Sequence, residues 1–412
     1  MRYIYSFVVS ITWQILKILG FANPKISKFV KGRNMVLETI RNDISKSDRV
    51  IWIHAASLGE YEQGLPILEQ LKLEYPNRKV LLTFFSPSGY EVKKNSSPAD
   101  IITYLPFDIP GKVNSFLDAV RPDMAIFIKY EIWPNYLFEL HKRAIPTILI
   151  SARFSSKKIY FKNYGGFMRK ALRSFSYLYV QDKPSKELLH KIGIKKVSIA
   201  GDTRLDRVAE ILKRDNTLDA ISSFCEGKKC LVAGSTWPED ERILTNYINH
   251  APNDQKFIIA PHIIKDSHIQ SLCQSIEKKT VLYSKISPVL ENDIQVLIVD
   301  TIGLLTKIYS YASIAYVGGG FATGLHNTLE PAVFGIPVVI GPKYQGFLEA
   351  EQLVQLGGIL PIQDKEGFNS GINRLFKDPQ ERKSIGEINS QYILNNKGAS
   401  VQIMAGIRTL LK

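Results

Sequence analysis

A chain of 412 residues is longer than one hydrophobic core usually serves, so two domains are expected. Its 45% hydrophobic and 22% charged content excludes a disordered or fibrous chain. The three cysteines (Cys225, Cys230 and Cys273) form no CxxC pair, which excludes a disulfide scaffold or zinc knuckle and fits a reducing compartment. A net charge of +14 predicts attraction to a polyanion: nucleic acid, an anionic membrane face or a phosphorylated substrate.

Residues 3–21 read YIYSFVVSITWQILKILGF, interrupted among larger polar groups only by Gln14 and Lys17. That length is close to the ~20 residues needed to cross a bilayer. No small-residue cleavage site follows, which disfavours a cleaved signal peptide. Lys25, Lys28, Lys31 and Arg33 come after the segment and only Arg2 before it, so the positive-inside rule places the main body in the cytoplasm. Residues 1–22 are read as a membrane anchor, either crossing the bilayer or lying on it with Gln14 and Lys17 toward water.

Beyond it, apolar runs at 50–55, 80–84, 124–128, 147–150 and 177–180 read as buried strands. Helical patterns fall between them, as at 64–74 and 113–120. The rhythm restarts at 229–233 and continues through 257–260, 294–299, 314–317 and 337–340. Such alternation implies parallel βαβ units. The chain therefore reads as α/β, with two Rossmann-like, doubly wound domains facing a cleft: 23–207 and 227–412, joined by a polar linker at 208–226. Ligands in such sheets bind beyond the carboxyl ends of the strands.

The loops there are informative. His54-Ala-Ala-Ser-Leu-Gly-Glu60 ends the first strand in small residues and places Glu60 at a helix mouth. A carboxylate there suits proton removal from a hydroxyl, or merely stabilises a first turn through the helix dipole. His54 reads as a packed histidine. Residues 151–175 carry Arg153, Lys157, Lys158, Lys162, Arg169, Lys170 and Arg173 with no acid, interleaved with Phe154, Tyr160, Phe161, Tyr164 and Phe167. That mixture suits a surface resting on lipid or gripping phosphates, and single-stranded nucleic acid is the less favoured partner. In Ala233-Gly-Ser-Thr-Trp-Pro-Glu-Asp-Glu241, Ser235, Thr236 and nearby amides could hold an anion, or the acids could simply start a helix. Pro261-His262 occupies a matching loop. The strongest signal is VGGGFATGLHNTLEPA at 317–332, where a strand ends, three glycines follow and a helix begins near Asn327. Free amides and the helix dipole there favour phosphate, although Asn327 and Glu330 also have capping-box spacing. It is neither GxGxxG nor a Walker motif.

Taken together, HAASLGE, SPSGYE at 86–91, KYEIWPN at 129–135, SARFS, GDTRLDR at 201–207, GSTWPEDE and the long segment 318–350 carry a resemblance nearly end to end. The chain resembles the 3-deoxy-D-manno-octulosonic acid (Kdo) transferases of Gram-negative bacteria, which have the glycosyltransferase-B fold. The resemblance implies inverting, metal-independent transfer of Kdo from CMP-Kdo to the 6'-hydroxyl of lipid IVA, at the cytoplasmic face of the inner membrane. It implies no cofactor and no metal site; the partners are CMP-Kdo, lipid IVA and membrane lipids, not nucleic acid. Glu60 matches the catalytic base. Glu131 matches an acceptor-domain acid that orients or supports, with Arg153, Lys157 and Lys158 beside the acceptor. For CMP, the family positions fall on Pro261, His262, Gly318, Gly319, Gly320, Tyr344, Gln345, Gly346 and Phe347. Asn327 and Glu330 lie alongside, with Glu330 placed for the ribose, while Ser235 and Thr236 address the donor phosphate or carboxylate. The family pattern Pro-Arg-His is replaced here by Pro261-His262-Ile263, so Lys343, His262 or Lys265 must supply the missing charge. The competing readings are another two-domain sugar-nucleotide enzyme, such as a hexosyltransferase or epimerase, and a non-enzymatic basic membrane-binding protein.

Overall fold

The computed structural model describes residues 1–286, 293–322 and 324–411. Each apolar run becomes a strand, and every pairing is parallel. One sheet is built from β1 (Arg49–Ala55), β2 (Arg78–Phe84), β3 (Ile101–Tyr104), β4 (Pro122–Ile128), β5 (Thr147–Ala152), β6 (Tyr177–Val180) and β7 (Val197–Ile199). The other comprises β8 (Lys229–Thr236), β9 (Gln255–Pro261), β10 (Thr280–Leu282), β11 (Val296–Ile298), β12 (Ile314–Val317), β13 (Val338–Ile340) and β14 (Ile359–Pro361). Their orders are β3-β2-β1-β4-β5-β6-β7 and β10-β11-β9-β8-β12-β13-β14. The winding reverses between β1 and β4 in one sheet and between β8 and β12 in the other, and crevices for ligands open at such points.

The chain divides into two compact units, Met1–Asp206 with Lys397–Lys412, and Arg207–Asn396. In the first, alternate residues of β1 serve opposite faces of the sheet, as a strand's pleat requires. Trp52 packs among Phe116, Phe127 and Tyr136. Ile51 and Ile53 pack on the other face with Ile126, Ile148, Ile403, Met404 and Ile407. The last three belong to the C-terminal helix Ala399–Leu410, so this helix completes the first core, whereas the sequence reading placed 227–412 together. Asp206 fixes its start by accepting the N–H groups of Gly398 and Ser400. Gly406 lets it lie against Tyr179, whose hydroxyl would stand 1.6 Å from an added Cβ. Residues 208–226, expected as a polar linker, include the helix Asp219–Cys225, whose Ile221 and Phe224 are buried. In the second unit Leu231, Phe257, Val296, Tyr316 and Val339 form a core with Phe368, Ile372 and Leu375.

The expected anchor is a helix, Arg2–Leu19. One side docks on the first unit: Trp13 is buried against Phe107 (ring centroids 4.9 Å apart) and Val30. Arg2 Nε donates to Asn135 Oδ1 (3.0 Å) and the Tyr5 hydroxyl to Asp108 Oδ2 (2.8 Å). Tyr3, Ile4, Phe7, Val8, Ile11, Ile15 and Ile18 remain exposed. Among the described residues no helix is long and apolar enough to cross a membrane, so the crossing alternative finds no helix to carry it. Ser6, Ser10, Thr12, Gln14 and Lys17 dilute the apolar run.

Arg33 also departs from expectation. It is buried rather than flanking a membrane, bonds the carbonyls of Leu105, Phe29 and Phe85, and stacks on Phe29 with its guanidinium 3.7 Å from the ring centroid. Burial lowers its pKa to about 9.

Candidate active site

In the first unit the loops after β1 and β4 flank the switch point, and they carry both acids singled out in the sequence. Ser57 precedes the helix Leu58–Glu74 in extended conformation, and its carbonyl accepts the N–H of Tyr61 (3.0 Å). A capping box would pair the Ser57 hydroxyl and the Glu60 carboxylate with backbone N–H groups. Instead the hydroxyl donates directly to Glu60 Oε2, and no side-chain cap forms. Glu60 is half-buried, and its charge contributes to raising the Tyr130 pKa, after burial, Arg153 (which lowers it) and Asp182.

Glu131 is positioned by a chain of polar side chains. Trp52 Nε1 donates to Thr83 Oγ1 (2.8 Å), and Thr83 Oγ1 lies 2.9 Å from His54 Nδ1. His54 Nδ1 also faces the Thr83 carbonyl (3.1 Å), and on the other side of the ring Nε2 lies 3.1 Å from Glu131 Oε2. Trp133 Nε1 donates to the same oxygen (2.8 Å). Both bonds end on Oε2, so Oε1 is the oxygen left for a ligand. His54, buried as expected of a packed histidine, is the connecting member of this chain.

The basic segment separates into parts. Arg153 Nε bonds Asp182 Oδ2 (3.1 Å), and Lys158 and Lys129 lie over the Tyr130 ring at 4.9 and 5.6 Å. Arg153 and Lys158 thus gather around Tyr130, near the charge of Glu60, whereas Lys157 is simply exposed. The interleaved aromatics pack mainly on neighbouring rings rather than forming one continuous exposed face. Phe154 is buried and takes Tyr160 and Phe161 edge-on, Phe167 packs on Phe138, and only Tyr164 is largely exposed. Lys129 (φ 64°) and Ser151 (φ 53°) hold left-handed backbone at the ends of β4 and β5, a strained conformation that collects at functional loops.

In the second unit β9, β8, β12 and β13 lie side by side, so their terminal loops bring His262, Ser235, the triple glycine and Tyr344–Phe347 to one edge. The triple glycine differs from expectation. It is buried; Gly318 N–H bonds Gly234 O (2.9 Å), and Gly319 N–H bonds Asp240 Oδ2 (2.8 Å). Those two amides are therefore not open to phosphate. A Cβ on Gly318 would meet Ser235 O at 2.3 Å, and one on Gly320 would meet Gly341 Cα at 2.7 Å. Close approach of three backbones demands these glycines. Thr323, within the same motif, lies outside the described residues.

Thr236 is likewise engaged inward: fully buried, it donates to Glu241 Oε1 (3.0 Å), which also faces His268 Nε2 (3.1 Å). Burial foremost raises the Glu241 pKa. Ser235, with φ 54°, is half-buried at the loop. Asn327 accepts Leu329 N–H (3.1 Å) and donates to Glu330 Oε1 (3.0 Å), while Thr306 donates to Glu330 Oε2 (2.9 Å). The capping box expected of this pair does not form: Thr328, not Asn327, precedes the helix Leu329–Ala332, and the two side chains bond each other instead. Lys343 Nζ bonds the carbonyls of Phe321 (3.3 Å) and Ala322 (3.1 Å), bracing the glycine-rich loop. Gly346, at φ 92°, donates to Glu351 Oε1 (2.8 Å), and Phe347 opens the helix Leu348–Leu356.

Two residues not singled out complete this edge. Trp237 stacks on His262 (4.8 Å, 21°) and donates from Nε1 to His326 Nε2 (2.9 Å); the two histidine rings are 4.6 Å apart. Burial and the neighbouring His262 lower the His326 pKa, which keeps Nε2 an acceptor. Both sat inside quoted motifs, and the signal was an aromatic at the end of a strand.

Two doubly wound parallel sheets, one with acids and the other with aromatic and glycine-rich loops at its switch point, have the build of a glycosyltransferase of the B fold. The chain matches, over residues 30–207, the family model described as 3-Deoxy-D-manno-octulosonic-acid transferase (kdotransferase). It is 27% identical over 377 residues to the 3-deoxy-D-manno-octulosonic acid transferase of Haemophilus influenzae, covering 88% of this chain and 87% of that one. With the enzyme of the same description from Chlamydophila psittaci it shares 26% identity over 396 residues, 92% of this chain and 91% of that one. Among solved structures, UDP-GlcNAc 2-epimerase from Neisseria meningitidis bound to UDP-GlcNAc superposes with a TM-score of 0.60 at 16% identity, covering 88% of this chain and 100% of that one. That likeness speaks for the fold alone.

Proposed function

We propose that this glycosyltransferase moves Kdo from CMP-Kdo to the 6'-hydroxyl of lipid IVA, with inversion and without a metal, at the cytoplasmic face of the inner membrane. The observation that carries the reading is Glu60: a half-buried first-turn carboxylate at the switch point, bonded by a hydroxyl and not used as a cap. It takes the proton of the acceptor hydroxyl. The freed oxygen bonds to the ketosidic carbon as the bond to the CMP phosphate breaks, and CMP leaves with the electron pair. Glu131 orients the acceptor through Oε1, and Arg153 and Lys158 offer positive charge to its phosphates. In the second unit Ser235, His262 and the 344–347 loop receive the donor, with Trp237 and His326 shaping its wall.

Two features support a lipid acceptor at a membrane surface. The apolar side of Arg2–Leu19 is exposed, so this helix lies on the bilayer. A pocket of about 500 Å³ is lined by Leu16, Ile26, Phe29 and Pro87, with Lys25 and Lys28 beside them, which suits acyl chain below phosphate.

Glu60→Gln tests the base: the folded variant should transfer Kdo roughly 10²–10⁴-fold more slowly. An unchanged rate would overturn the assignment. Parallel assays with UDP-sugars, with a chelator, and with NMR of the product anomer check donor, metal and stereochemistry.

A further inference from the structure

Away from these loops, the first unit holds a cavity of about 670 Å³ lined by Met1, Arg2, Phe138, His141, Gly166, Phe167, Lys170, Arg173 and Ser174. Its charge is one-sided. Arg2 lies 5.3 Å and Lys170 6.0 Å from the centroid of the same Phe138 ring, and Arg173 lines the wall. No carboxylate lines the cavity, and among the described residues none of the three cations forms a salt bridge. Arg2 is held through Nε by Asn135 and Arg173 by the carbonyl of Ile192 (2.9 Å); Arg2 also feels the Asp108 carboxylate, while Lys170 and Arg173 have no acid beside them in the cavity wall. Gathering like charges against one ring is unfavourable until an anion enters. Phe138 and Phe167 give the cavity an apolar wall beside its cations. Its rim includes the first turn of Arg2–Leu19, whose Tyr3, Ile4 and Phe7 are exposed.

We infer that this cavity binds the phosphodiester headgroup of an anionic glycerophospholipid, with Arg2, Lys170 and Arg173 on the phosphate and the two phenylalanines against the glycerol and first methylenes. The volume lies in the range of small-molecule sites. The inference rests on the reading that the N-terminal helix lies on the membrane, and it assigns that surface a specific lipid contact. Phosphate bound there would fix the register of the helix on the bilayer.

The test uses the full chain and co-sedimentation with vesicles of phosphatidylcholine alone or with phosphatidylglycerol, without sugar donor. Phosphatidylglycerol should raise wild-type partitioning about tenfold. Lys170→Glu should lose most of that gain and Lys170→Arg should keep it. Lys383→Glu, an equal charge change on an exposed helix of the second unit, should also keep it. Equal losses in Lys170→Glu and Lys383→Glu would overturn the pocket, leaving only general attraction of a basic protein. Binding of free glycerol phosphate that is lost in Lys170→Glu, with no added partitioning on phosphatidylglycerol, would overturn the lipid and leave a soluble phosphate site. Circular dichroism confirms folding, and Lys170→Ala replaces the glutamate variant if that one unfolds. Absence of wild-type binding to either vesicle would sink the membrane-surface reading itself, an outcome separate from loss of discrimination at Lys170.

Discussion

Asp240 Oδ2 accepts the N–H of Gly319 at 2.8 Å, tying the helix that follows β8 to the glycine-rich loop that follows β12. The same fully buried carboxylate accepts Trp237 N–H (2.9 Å) and the Tyr316 hydroxyl (2.6 Å). One acid from the GSTWPEDE motif thus sets the shape of the loop from the other motif, across the switch point. Asp240→Ala leaves three donors without an acceptor, those of Tyr316 and Gly319 buried and that of Trp237 partly so. Each costs about 1–3 kcal/mol, so the second unit should lose at least about 3 kcal/mol in chemical denaturation. A loss below about 1 kcal/mol would show that the loop holds its shape unaided.

Ser57→Ala separates orientation from capping. The Ser57 carbonyl already accepts the Tyr61 N–H, so the helix should keep its stability. Glu60 loses a hydrogen bond of about 1 kcal/mol, equivalent to about fivefold in kcat, with KM for both substrates little changed. A drop in melting temperature with unchanged kcat would return Ser57 to a capping role.

The glycines of the donor loops divide by cause. A Cβ at residue 320 would press on Gly341 Cα at 2.7 Å, whereas at Gly346 nothing lies within 4 Å and only the positive φ of 92° opposes a side chain. Gly320→Ala should therefore cost about 2–3 kcal/mol and Gly346→Ala about 1 kcal/mol, read from denaturant midpoints of the two variants. The reverse order would mean that residues 318–320 can move apart.

The sequence showed the inner strands because parallel strands buried on both faces must be continuously apolar. It missed β3, β7, β10 and β14, and these are the edge strands of the two sheets. Edge strands are short and half-covered; Val197–Ile199 and Thr280–Leu282 carry no long apolar run. The return of Ala399–Leu410 to the first unit was hidden because an amphipathic helix does not state which core it serves. Motif recognition singled out Glu60, Glu131 and His262, and the structure sets each just beyond the carboxyl end of a strand. Such recognition could not foresee that two amides of the triple glycine are spent internally, since that depends on the Gly234 carbonyl and on Asp240, the latter 79 positions away in the chain. Trp237 and His326 were passed over because an aromatic beside glycines reads locally as packing.

Asp108 supplies a pH dependence that can be isolated. Its carboxylate accepts Tyr5 O–H (2.8 Å), Asn135 N–H (3.1 Å) and Tyr136 N–H (3.0 Å), joining the N-terminal helix to the start of Pro134–Lys142. Burial is the largest influence and raises its pKa from 3.8 to about 6, against the lowering effect of these bonds and of Arg2. The folded state therefore binds a proton that the unfolded chain gives up between these values. That contribution is lost as pH rises through about 6 and is fully present below about 4. Relative to Asp108→Asn, the wild type should gain stability as pH falls from 7 to 4, by at most about 3 kcal/mol. Parallel stability curves for the two proteins across that window would show that Asp108 keeps its ordinary acidity and that the helix is latched without it.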